Sequence, residues 1–263
     1  MRLFFYEPMN KSEIKEFLDE KYDLYNQPNF IETDPIQVPH QFSKKEDIEI
    51  TAFLTATIAW GQRTTIINNA KRIVQLLDNA PYDFVLNHTH TDLSRLTPFV
   101  HRTFNGIDLQ FFIESLKNIY LNHDGLEQVF MHGYHKEHSV YQSLLHFRET
   151  FFEVPFELRS SRHISSVAKN SAAKRLNMFL MWMVRNDKRG VHFGLWNKMN
   201  SADLRIPLDV HSGNTGRKLG LLNRNQNDWK AVLELTKSLQ EFDSQDPIKY
   251  DFALFGLGVF EKF

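Results

Sequence analysis

The chain has 263 residues, 42% of them hydrophobic and 24% charged, with a formal net charge of −1. That is the make-up of a globular protein with a full core, built as one large domain or two small lobes. There is no cysteine, which excludes disulfides, iron–sulfur clusters and thiolate zinc sites, and the near-zero net charge by itself argues against a generic nucleic-acid binder.

The opening MRLFFYEPMNKSEIKEF has one short apolar run and then alternating charge. This is the pattern of neither a signal peptide nor a membrane span, so a cytoplasmic protein is expected. Ser12 is placed to cap a helix through about Tyr25, with Ile14, Phe17, Leu18, Tyr22 and Tyr25 on one face. QPNFIETDPIQVPH, with three prolines, breaks the helical period. From Asp47, DIEITAFLTATIAWG is apolar nearly all round, as a central bundle helix is, and Gly61 ends it. QRTTIINNAKRIVQLLD restarts with a threonine cap and the apolar set Ile66, Ile67, Ala70, Ile73 and Leu77, leaving Gln62 and Arg63 on a short exposed connection. Residues 79–107 mix short helical pieces with turns. His88, His90 and His101 fall there without a metal-ligand spacing, so no metal and no cofactor are expected.

Helices are expected over Leu109–Leu121, from about Ser139 to Phe152, from an Asp228 cap through Phe242, and after Asp246-Pro247 along IKYDFALFGLGVF. With no strand expected, the fold class is all-α.

Charge is unevenly spread. Residues 1–50 carry six bases against eleven acids, and residues 156–225 carry thirteen bases against four acids. The second segment fits a polyanion partner, or equally a set of separately solvated helix faces. It contains two chemically suggestive positions. Ser171 can cap a helix that Lys174 enters, where the positive end of the helix dipole disfavours a further positive charge; an uncharged lysine amine is a nucleophile able to form a Schiff base. The alternatives are a surface lysine or a phosphate contact. Asp209 follows Pro207-Leu208 and starts the helix at Val210-His211, either as a simple N-cap or as a carboxylate that also stabilises a cationic substrate.

The order of buried helix, Gly-Gln-Arg-Thr-Thr turn, helix, basic Lys174-bearing helix and Pro-Leu-Asp-Val-His resembles the helix-hairpin-helix DNA glycosylases. The whole chain looks most like an uncharacterised bacterial family associated with that superfamily, nearest its archaeal 8-oxoguanine glycosylase branch. The resemblance implies a single two-lobed helical domain over residues 1–263. Front helices would span about 47–155 and a basic helix-hairpin-helix-like lobe about 156–225, with the first and last helices completing the second lobe.

It implies Lys174 as Schiff-base nucleophile and Asp209 as the group that steadies the developing oxocarbenium, with His211 matching the histidine two positions on. It places Gln62 where a side chain fills the gap left by a flipped base, and Asp251 and Phe255 as the pair that binds that base. For Gln62, Asp251 and Phe255 the plain readings are a polar turn, a helix-face aspartate and a core ring. Two departures stand out. SSVAKNSAAK lacks the glycines of the usual hairpin, leaving Lys169, Arg175 and Arg185 as point contacts to phosphate, and the stretch between Lys174 and Asp209 is long. Arg63, Arg217 and Lys218 complete the expected DNA contacts.

The expectation is a monomeric base-excision repair glycosylase with β-lyase activity, acting on double-stranded DNA with a damaged purine such as 8-oxoguanine. The alternatives are a non-catalytic nucleic-acid binding protein that retains the fold, or a structural helical protein.

Overall fold

The computed structural model describes residues 9–135 and 137–263; the expectation for the apolar run within residues 1–8 lies outside them. The described chain is mostly helical: α1 (Lys11–Tyr25), α2 (Asn29–Thr33), α3 (Lys45–Thr57), α4 (Arg63–Leu76), α5 (Pro81–Asn87), α6 (His90–Ser94), α7 (Gly106–Asn122), α8 (Leu126–Tyr134), α9 (Val140–Phe151), α10 (Lys174–Val184), α11 (Val210–Lys218), α12 (Trp229–Gln240) and α13 (Asp251–Val259). Short 3₁₀ turns punctuate the connections. The expectation of no strand needs one correction. Val100–His101 and Phe104–Asn105 form an antiparallel hairpin, β1 and β2, pairing Val100 with Asn105 and His101 with Phe104. Two residues a strand leave no alternation to detect. No described helix is long and apolar enough to cross a membrane.

Several helix starts carry side-chain caps, not always the expected ones. Asn10, not Ser12, caps α1: its Oδ1 accepts from the Ser12 and Glu13 amides while Glu13 accepts from the Asn10 amide, a reciprocal box. Gln62, not a threonine, stands at the α4 N-cap, with no side-chain bond. Ser139 and Asp228 cap α9 and α12 as expected.

The buried side chains form one continuous core, running from Ile14 to Leu257. α3, buried along most of its length, packs against α4, α5 and α10, and α8 pairs with α9. The last helix, α13, lies between α1 and α11, and two glycines permit it. A Cβ at Gly256 would come within 2.2 Å of the Tyr25 ring on α1, and one at Gly258 within 3.0 Å of His211 on α11. This close packing brings one face of α13 to the start of α11 and the start of α10, where the cleft described next opens.

Candidate active site

Lys174 and Asp209 meet. The lysine Nζ lies 3.4 Å from Asp209 Oδ2, with both side chains partly exposed, at 30% and 18%. Each owes its position to local backbone. Asp209 spends one oxygen on its helix, Oδ1 accepting from the Ser212 amide at 2.9 Å, and keeps Oδ2 for the lysine. The carboxylate that caps α11 and the one that meets the lysine are therefore the same group, one oxygen to each.

Lys174 is the first residue of α10, not three positions inside it, because Ala173 is the N-cap. Ser171 caps nothing there in the expected way; its Oγ accepts from the Ala173 amide at 3.3 Å, and its backbone bridges to Asp228. The glycine-free stretch before α10 turns with non-glycine residues in the left-handed region, Asn170 at φ 61° and Ala173 at φ 48°.

The pair lines a cleft of about 770 Å³. Asp251, Phe255, His211 and Arg63 line it too, so these four expected residues converge with Lys174 and Asp209. Phe255 is half-buried on the cleft wall and does not belong to the sealed core. The His211 ring meets it edge-on at 6.4 Å, and the Arg63 guanidinium lies 5.3 Å from its centroid. Asp251 is unusual chemically. Burial above all, then the neighbouring Asp209 and more weakly Asp34, push its carboxyl up to about 7, against the pull of Lys174 and a long Ser212 hydroxyl contact. A carboxyl there is divided between donor and acceptor forms near neutral pH.

Gln62 is exposed at the head of α4, beside cleft residues Gly61 and Arg63. Lys169 and Lys218 are exposed cations. Three expected contacts to phosphate need correction. Arg175 turns inward, its guanidinium donating to the Thr57 carbonyl and lying 4.9 Å from the Trp60 ring, and burial lowers it to about 10. Arg217 is spent on the loop after α11, donating to the carbonyls of Arg224 and Asn225 and to Asn227 Oδ1 at 2.6–2.9 Å. That loop then returns Asn227 Nδ2 to the Asp209 carbonyl at 2.9 Å, so Arg217 holds the aspartate from behind. Arg185 is 1% exposed and paired with Asp246 and Asp187.

Sequence reasoning passed over Asp34, Trp60 and His192, all of which line the cleft. Asp34 caps the 3₁₀ turn at Pro35, accepting from the Ile36 amide, and burial raises its pKa against the attraction of Arg63 and Lys174. The Asp-Pro start that marked Asp246 was equally present here. Trp60 is held by His101 edge-on at 4.9 Å, with its carbonyl accepting from His101 Nε2. His88 donates to helix carbonyls. Among the described residues no cluster of three or more ligating side chains is placed to hold a metal ion.

No curated protein and no solved structure matches the chain. A family model does match, over residues 34–260, a span that begins at the cleft aspartate Asp34 and includes Lys174, Asp209 and Asp251. The chain belongs to that family, described as a protein of unknown function (DUF2400).

Proposed function

We propose that the protein is a DNA glycosylase with β-lyase activity on an oxidised purine, its helices arranged as a two-lobed helix-hairpin-helix-like fold. The observation that carries this reading is the Lys174–Asp209 pair at 3.4 Å on the wall of a cleft that also presents an aromatic ring and a second carboxyl one helical turn away, Phe255 and Asp251. A lysine held beside a carboxylate, at a hollow large enough for a nucleobase, suits attack on an electrophilic carbon that becomes cationic as its bond breaks.

In the proposed chemistry the base leaves the helix and enters the cleft. Lys174, having passed a proton to Asp209, bonds through its lone pair to the sugar C1′. The glycosidic C1′–N bond breaks, its electron pair leaves with the base, and the base takes up a proton. That proton comes from Asp209, and the carboxylate so restored faces the positive charge that develops on the sugar. Loss of the amine proton and opening of the sugar ring give a C1′ imine, with O4′ protonated. Removal of a C2′ proton then expels the 3′ phosphate. Asp251, poised between its two forms, can accept from or donate to the base.

Borohydride trapping on duplex DNA containing 8-oxoguanine tests the reading. Wild type is expected to form a covalent adduct, and Lys174→Gln to form none. No adduct with wild type, or one that persists in the variant, overturns the lysine mechanism. Salt-sensitive DNA binding without an adduct would favour a non-catalytic binder that retains the fold.

A further inference from the structure

The cleft does not stop at the lysine. Lys174, Met178, Met181 and Trp182 all line it, spaced so that they share one face of α10. At 1.5 Å per residue the lining extends about 12 Å along the helix axis. Where α10 ends, the chain folds back: the Phe193 amide donates to the Trp182 carbonyl at 2.9 Å and the Trp196 amide to the Met183 carbonyl at 3.0 Å. This return sets His192, 9% exposed, into the cleft wall. Its ring stacks on Phe252 with centroids 5.1 Å apart, and Phe252 meets Phe30 edge-on at 5.2 Å. The inner cleft is thus an apolar, aromatic chamber with an imidazole in its wall.

One half of that imidazole is committed. Arg185 Nη1 approaches His192 Nδ1 at 3.2 Å. A guanidinium only donates, so Nδ1 must accept and the ring proton must sit on Nε2. Arg185 cannot swing away to relax this: its Nε is bound by both Asp246 oxygens at 2.8–2.9 Å, and its Nη2 by Tyr22 and Asp187 at 2.9 Å. The other half is free. Nε2 has no protein partner among the described residues, and it is not among the polar atoms sealed from solvent. Burial, reinforced by Arg185, holds the ring neutral far below the usual histidine range. His192 is therefore a neutral N–H donor of fixed tautomer in the wall of the cleft.

We propose that His192 selects the base: its Nε2–H donates to a carbonyl oxygen on the edge of the extruded purine, so the cleft takes 6-oxopurines and rejects 6-aminopurines. An amino group in that place would set donor against donor and leave the His192 N–H without an acceptor, even where the amino group itself turns to Asp251. This inference rests on the glycosylase reading and adds to it the identity of the group at position 6. Lys174 and Asp209 face the sugar and are indifferent to that group; His192 is the residue that tells the two purines apart.

Equilibrium binding in the Lys174→Gln background, where chemistry is disabled, tests the assignment with duplexes carrying 8-oxoguanine or 8-oxoadenine. The 8-oxoguanine duplex is expected to bind at least about tenfold more tightly. Adding His192→Phe should bring the ratio close to one, and His192→Asn, which restores a donor, should recover part of it. Equal binding of both duplexes before the histidine is changed, or a ratio untouched by His192→Phe, overturns the proposal while trapping by wild type still upholds the lysine mechanism. If wild type fails to trap and neither duplex is preferred over undamaged DNA, both readings fall together. Nitrogen-15 spectra of unmodified protein give an independent check: a bare Nδ1 and a protonated Nε2 are expected, and a bare Nε2 overturns the assignment whatever the variants do.

Discussion

Asp251→Asn should make the protein more stable, and by an amount that depends on pH in a defined direction. Burial and Asp209 lift the Asp251 carboxyl from the ordinary 3.8 to about 7. Between about pH 4 and pH 7 the folded chain keeps a proton at this site that the unfolded chain has released, so the group's contribution to stability falls as pH rises through that window. At full value the rise amounts to about 4 kcal/mol once the carboxyl is ionised in both states. Asp251 keeps some contact with solvent at the cleft, and screening there places the expected figure at about 2–4 kcal/mol.

Asparagine has the same shape, can still accept from the Ser212 hydroxyl, and carries no charge at any pH. Urea unfolding of both proteins between about pH 5 and pH 8.5 should show a small gap in favour of the variant at the acid end, widening to a plateau above about pH 7.5. The many histidines contribute to both proteins alike and drop out of the difference. A gap independent of pH, or one that favours the native aspartate as pH rises, would refute the picture of a carboxyl held ionised only at a cost. The expected result would show that ionising this carboxyl lowers stability, in keeping with the role proposed for it in the cleft.

Two further substitutions separate fold from chemistry at the Lys174–Asp209 pair. Asp209→Asn keeps an N-cap for α11, since asparagine caps as well as aspartate, so the melting temperature should hold while single-turnover cleavage drops by roughly 10²-fold or more; an unchanged rate would remove the carboxylate from the mechanism. Ala173→Gly relieves a left-handed alanine at φ 48° and should stabilise the chain by about 0.5–1 kcal/mol in denaturant titration, whereas a loss of stability would mean that the alanine side chain, 1% exposed, contributes more by packing than its backbone costs.

The helices were largely legible because their signals are local. Ile66, Ile67, Ala70 and Ile73 repeat at helical spacing and are all buried on one side of α4, and Asp209 and Asp228 cap helices one residue downstream of themselves. What failed was competition between neighbouring signals. Ser12 lost to Asn10, which alone forms the reciprocal box with Glu13, and Ser171 lost to a left-handed alanine that no propensity favours. In the site, residues marked by their own motifs came together: Lys174, Asp209, His211, Asp251 and Phe255 line one cleft. Asp34 had a local signal in its Asp-Pro start, but its place in the cleft, like those of Trp60 and His192, depends on contacts that no local pattern shows. Asp34 feels Lys174. His192 is oriented by Arg185, which is itself fixed by Tyr22 on the first helix.

The basic segment shows the same limit and changes what its charge means. Of its thirteen bases, Arg159 is bound to the buried Asp108, Arg185 to Asp246 and Asp187, Arg189 to Asp23, and Arg224 to Asp228. Arg175 and Arg217 are turned onto backbone carbonyls. A count of residues could not distinguish these from free cations, since most of their acidic partners lie outside the segment. Inside the cleft, Lys174 and Arg63 lie among Asp34, Asp209 and Asp251, while Arg175 is turned to the Thr57 carbonyl, so the chamber carries no large excess of positive charge. Such a site does not draw in a polyanion by its own charge; exposed Lys169 and Lys218 would have to position the backbone from outside. The internal arginines instead hold carboxylates and backbone still, and that rigidity keeps a lysine and an aspartate 3.4 Å apart at the entrance to a chamber whose inner wall offers a neutral donor.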